Sequence, residues 1–369
     1  MKTILLSVFT ILGFSSFAGV ITCSNNPNSP GQYISLQDAV DNANANDTIL
    51  VAGSPSHYGT VINSSKALTI IGAGINNPNG YNTEINYLHF TRASSSVSAT
   101  GSKLIGVRII NVLYLNPEYL ASGTNKSLED IVIERCHVGN IDMQGGSVNP
   151  TIFTNILIKN CILSTVGLYG DVKNNIRILN NIITSGSIRQ TKNADNSNVL
   201  VANNIFLWND QFAFFTSPGS AAQSTFPGMV VNNNIFYYAS PNTECHNCSF
   251  SNNITYNNLD DTLLGSGNPG STGGANQIGV DPEFVNYPIA GASFDYVYDF
   301  HLQPGSPGIG AGSDGTDIGI YGGVAPFTDA ADVGANPAIP QMLEITTPLG
   351  STVSKGTNLN VTFKSYKQD

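Results

Sequence analysis

The sequence predicts an all-β solenoid in which parallel strands are stacked coil upon coil. One phrase recurs four times, as IRILNNII from Ile176, VLVANNIF from Val199, MVVNNNIF from Met229 and CSFSNNIT from Cys248. Each copy has two apolar residues spaced by two, then Asn-Asn, then a pair that begins with Ile. Because the recurrence lacks helical periodicity, it indicates successive turns of one structure stacked in register.

The spacing of the repeat is the second observation behind this prediction. The residue that ends each turn recurs at intervals of 19 to 30 residues, which fit one three-stranded coil each. These residues are Ile110, Cys136, Cys161, Asn181, Asn204, Asn234 and Asn253. The two columns before them are Ile105, Ile131, Ile156, Ile176, Val199, Met229 and Cys248, and Val107, Ile133, Ile158, Ile178, Val201, Val231 and Phe250. Since stacked strands lie about 4.8 Å apart, each column predicts a continuous apolar ridge.

The Asn residues at four of these turns predict an internal amide ladder. In a stack of coils each amide can donate to one neighbour and accept from the other, which removes the penalty for burying it. A row of ligand-binding amides is the alternative interpretation. Cys136 and Cys161 continue the column, either as buried thiols or as a disulfide.

Residues 1–18 predict a leader for export. Lys2 supplies the positive start, residues 4–14 are an apolar run, and Ser16-Phe17-Ala18 has the small-x-small pattern of a cleavage site. The apolar run is too short to span a bilayer as a helix, and no second membrane segment follows it. We therefore expect a bacterial protein that is secreted to the extracellular space or the cell surface.

A short amphipathic helix is expected near the start of the exported chain. Apolar residues have helical spacing over 36–43, and Ser35 is placed to cap the helix. The end coil of a solenoid exposes its core, so a helix here would close it. Strand-like sequences follow at 47–51 and 68–74.

Motifs at both ends of residues 32–323 carry a family resemblance. A helix is followed by DTILV at 47–51 and LTIIGAG at 68–74; near the other end come VDPEF at 280–284, FHLQPGSP at 300–307 and TDIGIYGG at 316–323. Together these motifs resemble the ends of secreted bacterial proteins of the pectin-lyase-like group. The resemblance implies a right-handed parallel β-helix and no particular activity, because the group includes lyases, hydrolases and proteins without known chemistry.

The chain divides into the leader at residues 1–18, the β-helix at 32–323, a linker at 324–340 and a short C-terminal β segment at 341–369. The linker is rich in Pro, Ala, Gly and Asp and lacks the repeat. The last segment alternates weakly and is too short for an independent β-sandwich. We expect it to pack on the last coil or to pair with a partner.

The charge balance argues against a nucleic-acid partner. The chain has 15 Lys and Arg residues and 25 Asp and Glu residues, which gives a formal net charge of −10. Binding phosphates needs a clustered basic face, and few basic residues are available to build one. The same scarcity leaves little positive field for a polyanion, so a neutral glycan would suit the surface better.

Functional residues are expected on one outward sheet face. If each coil turns after the aligned Asn or Cys, the next strands cover 140–144, 165–169, 186–190 and 210–214, and alternate side chains point outward. In the group that the chain resembles, the substrate groove commonly follows one outer sheet face, so this face is the candidate groove. It would carry Asp142, Gln144, Tyr169, Ser187 and Arg189, with Asp171 and Lys192 just beyond.

These residues include the parts of a possible lyase. A lyase on a uronic-acid polymer must neutralise a carboxylate, remove the proton beside it and protonate the leaving oxygen. Arg189 or Lys192 as base, Tyr169 as acid, and Asp142 with Asp171 as metal ligands would supply these roles, with calcium as the cofactor considered. The motifs of polygalacturonase-like hydrolases and pectate lyases are absent from the sequence. Salt-paired charges on a solvated face are the alternative interpretation.

Aromatic residues near the later coils predict a sugar-binding surface. Trp208 and Tyr238 belong to this group, and exposed rings would pack on the C–H faces of sugars, whereas inward rings would fill the coil. With Asp142 and Gln144 they are the predicted substrate-binding residues. The five histidines have no metal-binding spacing, and Cys245 with Cys248 favours a local disulfide over zinc.

The sequence thus favours a secreted, monomeric β-helix protein that engages extracellular polysaccharide, without an identifiable catalytic set. One alternative is an enzyme, either a lyase that cleaves a uronic-acid polymer by β-elimination or a glycoside hydrolase. The other is a cell-surface adhesin or structural spacer in which the C-terminal segment makes the contact.

Overall fold

The structure is a computed structural model. It describes residues 18–63, 65–76, 80–94, 97–117, 126–144, 150–184, 186–190, 196–216, 228–241, 245–265, 268–288, 291–327, 341–346 and 362–366. Only the backbone is described for 208–212, 215–216, 341–346 and 362–366. Lys192 lies outside the described residues, and so does the side chain of Trp208.

Two long sheets form the walls of the molecule. Sheet A contains 12 strands, and its strands pair in parallel in the order in which the coils follow one another. Its strands are β1 Val20–Cys23, β2 Thr48–Val51, β4 Thr69–Gly72, β6 Lys103–Ile105, β8 Lys126–Glu129, β9 Val132–Glu134, β11 Thr151–Lys159, β13 Val172–Leu179, β16 Val199–Ala202, β19 Val230–Asn232, β21 Ser249–Ser251 and β23 Thr272–Gly274. β1 precedes residue 32, where the sequence places the start of the β-helix.

Sheet B contains 11 strands, again all parallel. They are β3 Thr60–Asn63, β5 Glu84–Thr91, β7 Arg108–Asn116, β10 His137–Met143, β12 Ile162–Leu168, β14 Ile182–Ile183, β15 Ile188–Gln190, β17 Ile205–Phe212, β18 Phe214–Thr216, β20 Ile235–Ser240 and β22 Ile254–Tyr256. The chain alternates between sheets A and B, so each coil contributes to both. This arrangement confirms the predicted parallel β-helix.

A helix and two strand pairs complete the fold. Helix α1, Leu36–Asn42, buries Leu36, Ala39 and Val40, and the Ser35 hydroxyl caps it by accepting from the Asp38 N–H at 3.2 Å. The predicted N-terminal helical cap is therefore present. Near the other end, β24 Phe284–Asn286 pairs with β25 Asp299–Leu302, and the C-terminal pair is β26 Gln341–Thr346 with β27 Thr362–Tyr366, both antiparallel.

The inward columns fill the coil as the sequence predicts from β9 onward. Ile133, Ile158 and Ile178 are fully buried and follow one another in register across β9, β11 and β13. Aromatic rings fill the interior of the later coils, where Phe206 and Phe236 stack with centroids 4.8 Å apart. Each column therefore forms the continuous ridge that its spacing predicts.

The predicted register of the preceding coil is wrong by three residues. Ile105 pairs with Glu134, so the positions equivalent to 131, 133 and 136 are Ser102, Leu104 and Val107 rather than Ile105, Val107 and Ile110. Ile110 is 42% exposed. Ser102 points inward at a place where the repeat has an apolar residue, and its hydroxyl binds the amide of Asn63 instead. That polar substitution hides the true register.

The four Asn residues of the predicted ladder form hydrogen bonds with one another through their side chains. They are Asn181, Asn204, Asn234 and Asn253. The amide of each donates to the amide oxygen of the next at 3.0 Å, and Asn276 adds a fifth member after Asn253. The same oxygens accept the backbone N–H of the preceding coil at 2.9–3.0 Å. Each buried amide is thus satisfied within the stack, which favours a structural role. Cys136 and Cys161 are buried free thiols at the start of this column.

The first Asn of each pair faces outward and bends the chain. Asn180, Asn203 and Asn233 have φ of 53–57°, the left-handed conformation that Asn tolerates better than most residues. Gly106 and Arg135 occupy the same corner in earlier coils. The Asn-Asn pair therefore combines a corner residue with an inward amide.

Residues 284–288 and 291–327, termed the return segment, run back along this corner. Asn252 donates to Ala311 O at 2.9 Å, Asn203 to Gly319 O at 3.3 Å, and Asn160 to Ala325 O at 2.8 Å. The segment thus passes the coils in reverse order. Gly319 has φ of 95°, and a Cβ there would lie 2.9 Å from Ile235, so the close approach needs glycine.

The return segment closes a second core on the outer side of sheet B. Ile182, Ile205 and Ile235, the first residue after each Asn pair, are fully buried although they point away from the coil interior. Phe284, Tyr287, Phe300, Ile318, Ile320 and Phe327 cover them. The outer face of this part of sheet B is therefore packed and not available as a groove.

Further contacts fasten the return segment and the loops. His137 Nδ1 lies 2.6 Å from the Tyr296 hydroxyl, which also donates to Ile75 O at 3.2 Å. Cys245 and Cys248 form the local disulfide. Two ion pairs link neighbouring strands: Lys159 binds Glu134 at 3.1 Å in sheet A, and Arg108 binds Glu84 at 3.0 Å in sheet B.

Candidate functional site

Irregularities in several strands divide sheet B into two halves, and the two halves differ on their outer side. Register shifts between Val138 and Asn140, and the gap between β14 and β15, mark the break. The half before the break is covered by the return segment. The half after it carries eight side chains that we call the polar row: Tyr87, His89, Tyr114, Asn116, Asp142, Gln144, Tyr169 and Arg189.

Parallel pairing aligns most of the polar row along the axis of the coils. His89, Tyr114, Asp142, Gly167 and Arg189 occupy equivalent positions on five successive coils. Their neighbours Leu113, Ile141 and Val166 point inward and are fully buried, so alternation directs the row outward. The predicted outward orientation of Asp142 and Arg189 agrees with this register.

Tyr169 is turned back onto the strand from which it comes. A Cβ built on Gly167 would lie 2.3 Å from the Tyr169 ring, so the ring lies directly over that glycine. Gly167 pairs with Asp142 on one side and Arg189 on the other. The missing side chain at Gly167 thus provides the space in which Tyr169 sits between the carboxylate and the guanidinium.

Electrostatics link these three side chains. Partial burial raises the pKa of Asp142, and the positive charge of Arg189 offsets part of that rise. Burial and the Asp142 charge raise the pKa of Tyr169, while Arg189 lowers it. Tyr169 therefore keeps its proton at neutral pH and can donate a hydrogen bond. Arg189 is exposed, and its Nε donates to the Ser187 hydroxyl at 3.2 Å, which orients the guanidinium.

Aromatic rings and amides extend the polar row toward the N-terminal coils. His89 stacks on Tyr114 with centroids 4.6 Å apart and planes at 24°, and Tyr87 lies parallel to Tyr114 at 6.4 Å. Burial lowers the pKa of His89, so the neutral imidazole is favoured. The amide of Asn116 donates to Gln144. This end of the row offers flat apolar rings beside amide donors and acceptors.

The two predicted metal ligands, Asp142 and Asp171, interact with different neighbours. Asp171 accepts from both the backbone and the hydroxyl of Thr151, at 3.0 and 3.2 Å. Asp142 instead interacts with Arg189 and Tyr169. Across the described residues, no group of three or more His, Cys, Asp or Glu side chains is placed to hold an ion. Calcium binding stays a prediction.

Two of the aromatic residues proposed near the later coils lie in or beside the second core rather than in the polar row. Tyr237 is 2% exposed and packs against Tyr256, Phe284 and Tyr287 in the second core. Tyr238, a predicted substrate-binding residue, is partly buried at the rim of the same core. Trp208 belongs to β17, whose backbone alone is described at that position. Within the described part of the chain, no helix has the length and apolar character needed to cross a membrane.

Sequence reasoning missed Tyr87, His89, Tyr114 and Asn116. Their strands show the signal, since EINYLHFT and RIINVLYLN alternate polar or aromatic residues with buried aliphatic ones. The misplaced register of the coil at Ile110 left them unaligned with Asp142. A repeat search that accepted a polar inward residue such as Ser102 would have joined them to the row.

Chemically, the polar row combines a phenol that holds its proton, a carboxylate, a guanidinium and flat ring faces. Such a surface can bind hydroxyl-rich ligands by hydrogen bonds and ring packing. It also places the Tyr169 phenol between a carboxylate and a guanidinium. Acid–base chemistry requires a proton donor held in such a fixed position.

Comparisons with known proteins add little to this geometry. No protein-family model matches the sequence, and no curated protein matches it. Among solved structures, the chain is similar to the pectin methylesterase from Aspergillus niger, with a TM-score of 0.28 and 12% identity over 71% of this chain and 86% of that one. A likeness at this level says nothing about activity, and the fold rests on the parallel pairing of sheets A and B.

Proposed function

We propose that this protein engages an extracellular polysaccharide along the polar row of sheet B. The observation that carries the proposal is the alignment of ring faces, amides and a carboxylate–phenol–guanidinium group on successive coils. Strands in the sheet are about 4.8 Å apart, so the row forms a linear surface parallel to the axis. An extended chain molecule fits a linear surface better than a compact ligand does.

The chemistry of the row favours a glycan over other extended ligands. Sugar rings have C–H faces that pack on aromatic rings, and their hydroxyls bond to amides and carboxylates. Tyr114 provides a ring, Gln144 an amide and Asp142 a carboxylate within neighbouring coils. The net charge of −10 disfavours a strongly anionic polymer, so we infer a glycan with few acidic groups.

Binding to a panel of soluble polysaccharides tests this proposal. Affinity electrophoresis of the purified protein is expected to show retardation by at least one neutral glycan. Tyr114→Ala should weaken binding about tenfold, because ring contacts contribute on the order of 1 kcal/mol. Tyr81→Ala, at a 49% exposed position outside the row, is the matched control and should leave retardation unchanged. Equal retardation of wild type and Tyr114→Ala would refute the site.

A second candidate is an enzyme acting on a uronic-acid polymer. It is favoured by Tyr169, whose raised pKa keeps it protonated between Asp142 and Arg189, as a general acid must be. Arg189 would neutralise a substrate carboxylate. Incubation with uronic-acid polymers, with and without calcium, should then produce unsaturated ends seen by absorbance, and Tyr169→Phe should abolish them. Binding without any product would exclude the enzyme and leave glycan binding as the one supported function.

The adhesin alternative depends on the C-terminal segment, and the structure sharpens its test. Phe327 is buried in the second core and Ala325 binds Asn160, so a truncation after residue 323 would disturb the β-helix. Removal of residues 328–369 avoids both contacts. If the shortened protein keeps its attachment to cells, the C-terminal contact is excluded; if attachment is lost while glycan binding persists, the adhesin role is supported.

A further inference from the structure

Asp47 holds the start of the first coil through both of its carboxylate oxygens. The backbone N–H of Gly19 donates to Oδ1 at 2.6 Å, and that of Asn44 donates to Oδ2 at 2.7 Å. Asp47 is 3% exposed. A buried carboxylate therefore faces the nitrogen of the residue that follows the predicted leader.

Among the described residues, no basic side chain forms an ion pair with Asp47. The ammonium of Lys66, on the turn before β4, donates instead to the carbonyls of Asp41 and Ala43, at 3.0 and 2.6 Å. A buried charge is costly unless it is paired, so this carboxylate is suited to a further positive partner.

Gly19 is fixed in place and has little room for a side chain. Its carbonyl accepts the Thr48 N–H at 2.9 Å, next to the pairing of β1 with β2. A Cβ on Gly19 would lie 3.0 Å from Oδ1 and 3.4 Å from the carboxyl carbon of Asp47. The smallest residue thus occupies the position at which the chain meets the carboxylate.

The bond before Gly19 is the one that leader removal would break. Hydrolysis by a peptidase adds water across the Ala18–Gly19 peptide bond, so that Ala18 leaves as a carboxylate and the Gly19 nitrogen becomes an amino group. At neutral pH that group is mostly an ammonium. We propose that the α-ammonium of Gly19 forms a buried ion pair with Asp47, so that removal of the leader completes the first coil.

The geometry requires no rearrangement for this pair to form. The present nitrogen–oxygen distance of 2.6 Å is already as short as that of a hydrogen bond between charged groups. The change on processing is therefore a gain of charge at a fixed contact. Asp47, which belongs to the DTILV motif at 47–51, gains a role as the receptor of the new N-terminus.

The first experiment determines where the exported chain begins. The full chain is expressed in a bacterial host, and the protein recovered from the medium or the periplasm is analysed by mass spectrometry. A mature N-terminus at Gly19 is expected. A chain that begins at any other residue overturns the proposal.

The second experiment isolates the charge on Gly19. A cleavable fusion yields one protein that begins at Gly19 and one that keeps Phe17-Ala18 before it, each with Asp47 or with Asp47→Asn. Asn keeps an oxygen for the Gly19 nitrogen but removes the charge, so these variants are expected to fold. With Asp47, the free Gly19 amine should raise the Tm by about 3–6 °C over the extended chain.

With Asp47→Asn, the difference between the two chain starts should fall below about 1 °C, because the neutral amide gains little from an ammonium. Asp38→Asn, at an exposed position on helix α1, is the matched control and should keep the full difference. An equal difference with and without the Asp47 carboxylate, or no difference in either background, overturns the ion pair.

Discussion

The two halves of sheet B share strands, coils and register, yet differ in what their outward side chains contact. Before the break, Ile182, Ile205 and Ile235 point outward and are fully buried beneath the return segment. After the break, Asp142 and Tyr169 point outward and remain partly exposed, and Arg189 is exposed. An outward direction in a β-helix therefore does not by itself mean contact with solvent.

This difference narrows the search for function. Outward side chains of the covered half pack against rings of the return segment, where Tyr287 contacts both Tyr237 of β20 and Phe300 of β25. The uncovered half carries tyrosine rings together with the charged and amide groups. Function is accordingly expected on the second half and stability on the first, and four measurements test that division.

The largest effect is expected from emptying the second core. Phe300 is 1% exposed and contacts Phe284 and Tyr287. Phe300→Ala should lower the free energy of unfolding by about 3–5 kcal/mol, because a buried ring leaves a cavity. Urea unfolding measures this loss, and glycan binding by the folded protein should not change.

Val297→Ala is the matched control for this prediction. Val297 lies on the same segment but is 70% exposed, so its substitution should change stability by no more than about 0.5 kcal/mol. If both variants unfold at the same urea concentration, the second core does not stabilise the protein.

Acid should weaken the covered half through His137. Burial, assisted by the positive charge of Arg108, lowers the pKa of His137 to about 4 from the ordinary 6.5. Between these values the unfolded chain binds the proton and the folded chain does not, so stability is complete above about pH 6.5 and falls toward pH 4. The loss should reach about 3 kcal/mol at most.

Urea midpoints measured from pH 7 to pH 4 test this effect, with His137→Gln as the comparison. Gln cannot take up a proton, so the variant should lose less stability over the same range. Identical pH dependence in the two proteins would show that His137 does not control the attachment of Tyr296.

A smaller effect is expected at the corner that holds the return segment. Asn180 is 1% exposed and donates to Ile320 O at 2.9 Å and Gly322 O at 2.7 Å. Asn180→Gly keeps the left-handed backbone and removes both bonds, so stability should fall by about 1–3 kcal/mol. Asn175 has a similar φ, 54°, at an exposed site. Asn175→Gly is therefore the control and should change stability by less than about 0.5 kcal/mol. Equal losses would mean that these bonds do not hold the segment.

The smallest stability change, with the clearest functional change, is expected at Gly167. An added methyl group would meet the Tyr169 ring at 2.3 Å, and the ring can swing into solvent. Gly167→Ala should therefore cost less than about 1 kcal/mol but weaken glycan binding as much as Tyr169→Ala does. Gly274→Ala, where a Cβ meets no atom within 4 Å, is the control. Unchanged binding in Gly167→Ala would remove Tyr169 from the site.

Much of the second half was predictable from the repeat. The Asn-Asn pairs set the register from Cys136 onward, and alternation then placed Asp142, Tyr169 and Arg189 on one outer face. The prediction failed at Ile105, where an inward Ser102 and a corner glycine replace the usual residues. A pattern of apolar positions cannot align a coil whose inward residue is polar.

The covered half also left a signal in the sequence. Each Asn pair is followed by Ile and then a second residue, and apolar neighbours such as Ile182 and Ile183 point to opposite faces of a strand. A strand that is apolar on both faces is buried on both. The pattern therefore indicated a covering layer, although not the segment that supplies it.

From Cys136 onward, the sequence by itself determined the stacked parallel coils, their inward columns and the face of the sheet that carries each outward residue, because these follow from local alternation and a repeated turn. Only the tertiary structure decided which outward face is covered and where the Tyr169 ring lies. The return segment is distant in sequence from the strands it covers, and Tyr169 turns over Gly167 because that neighbour lacks a side chain. Contacts of this kind depend on the assembled shape, which no local pattern encodes.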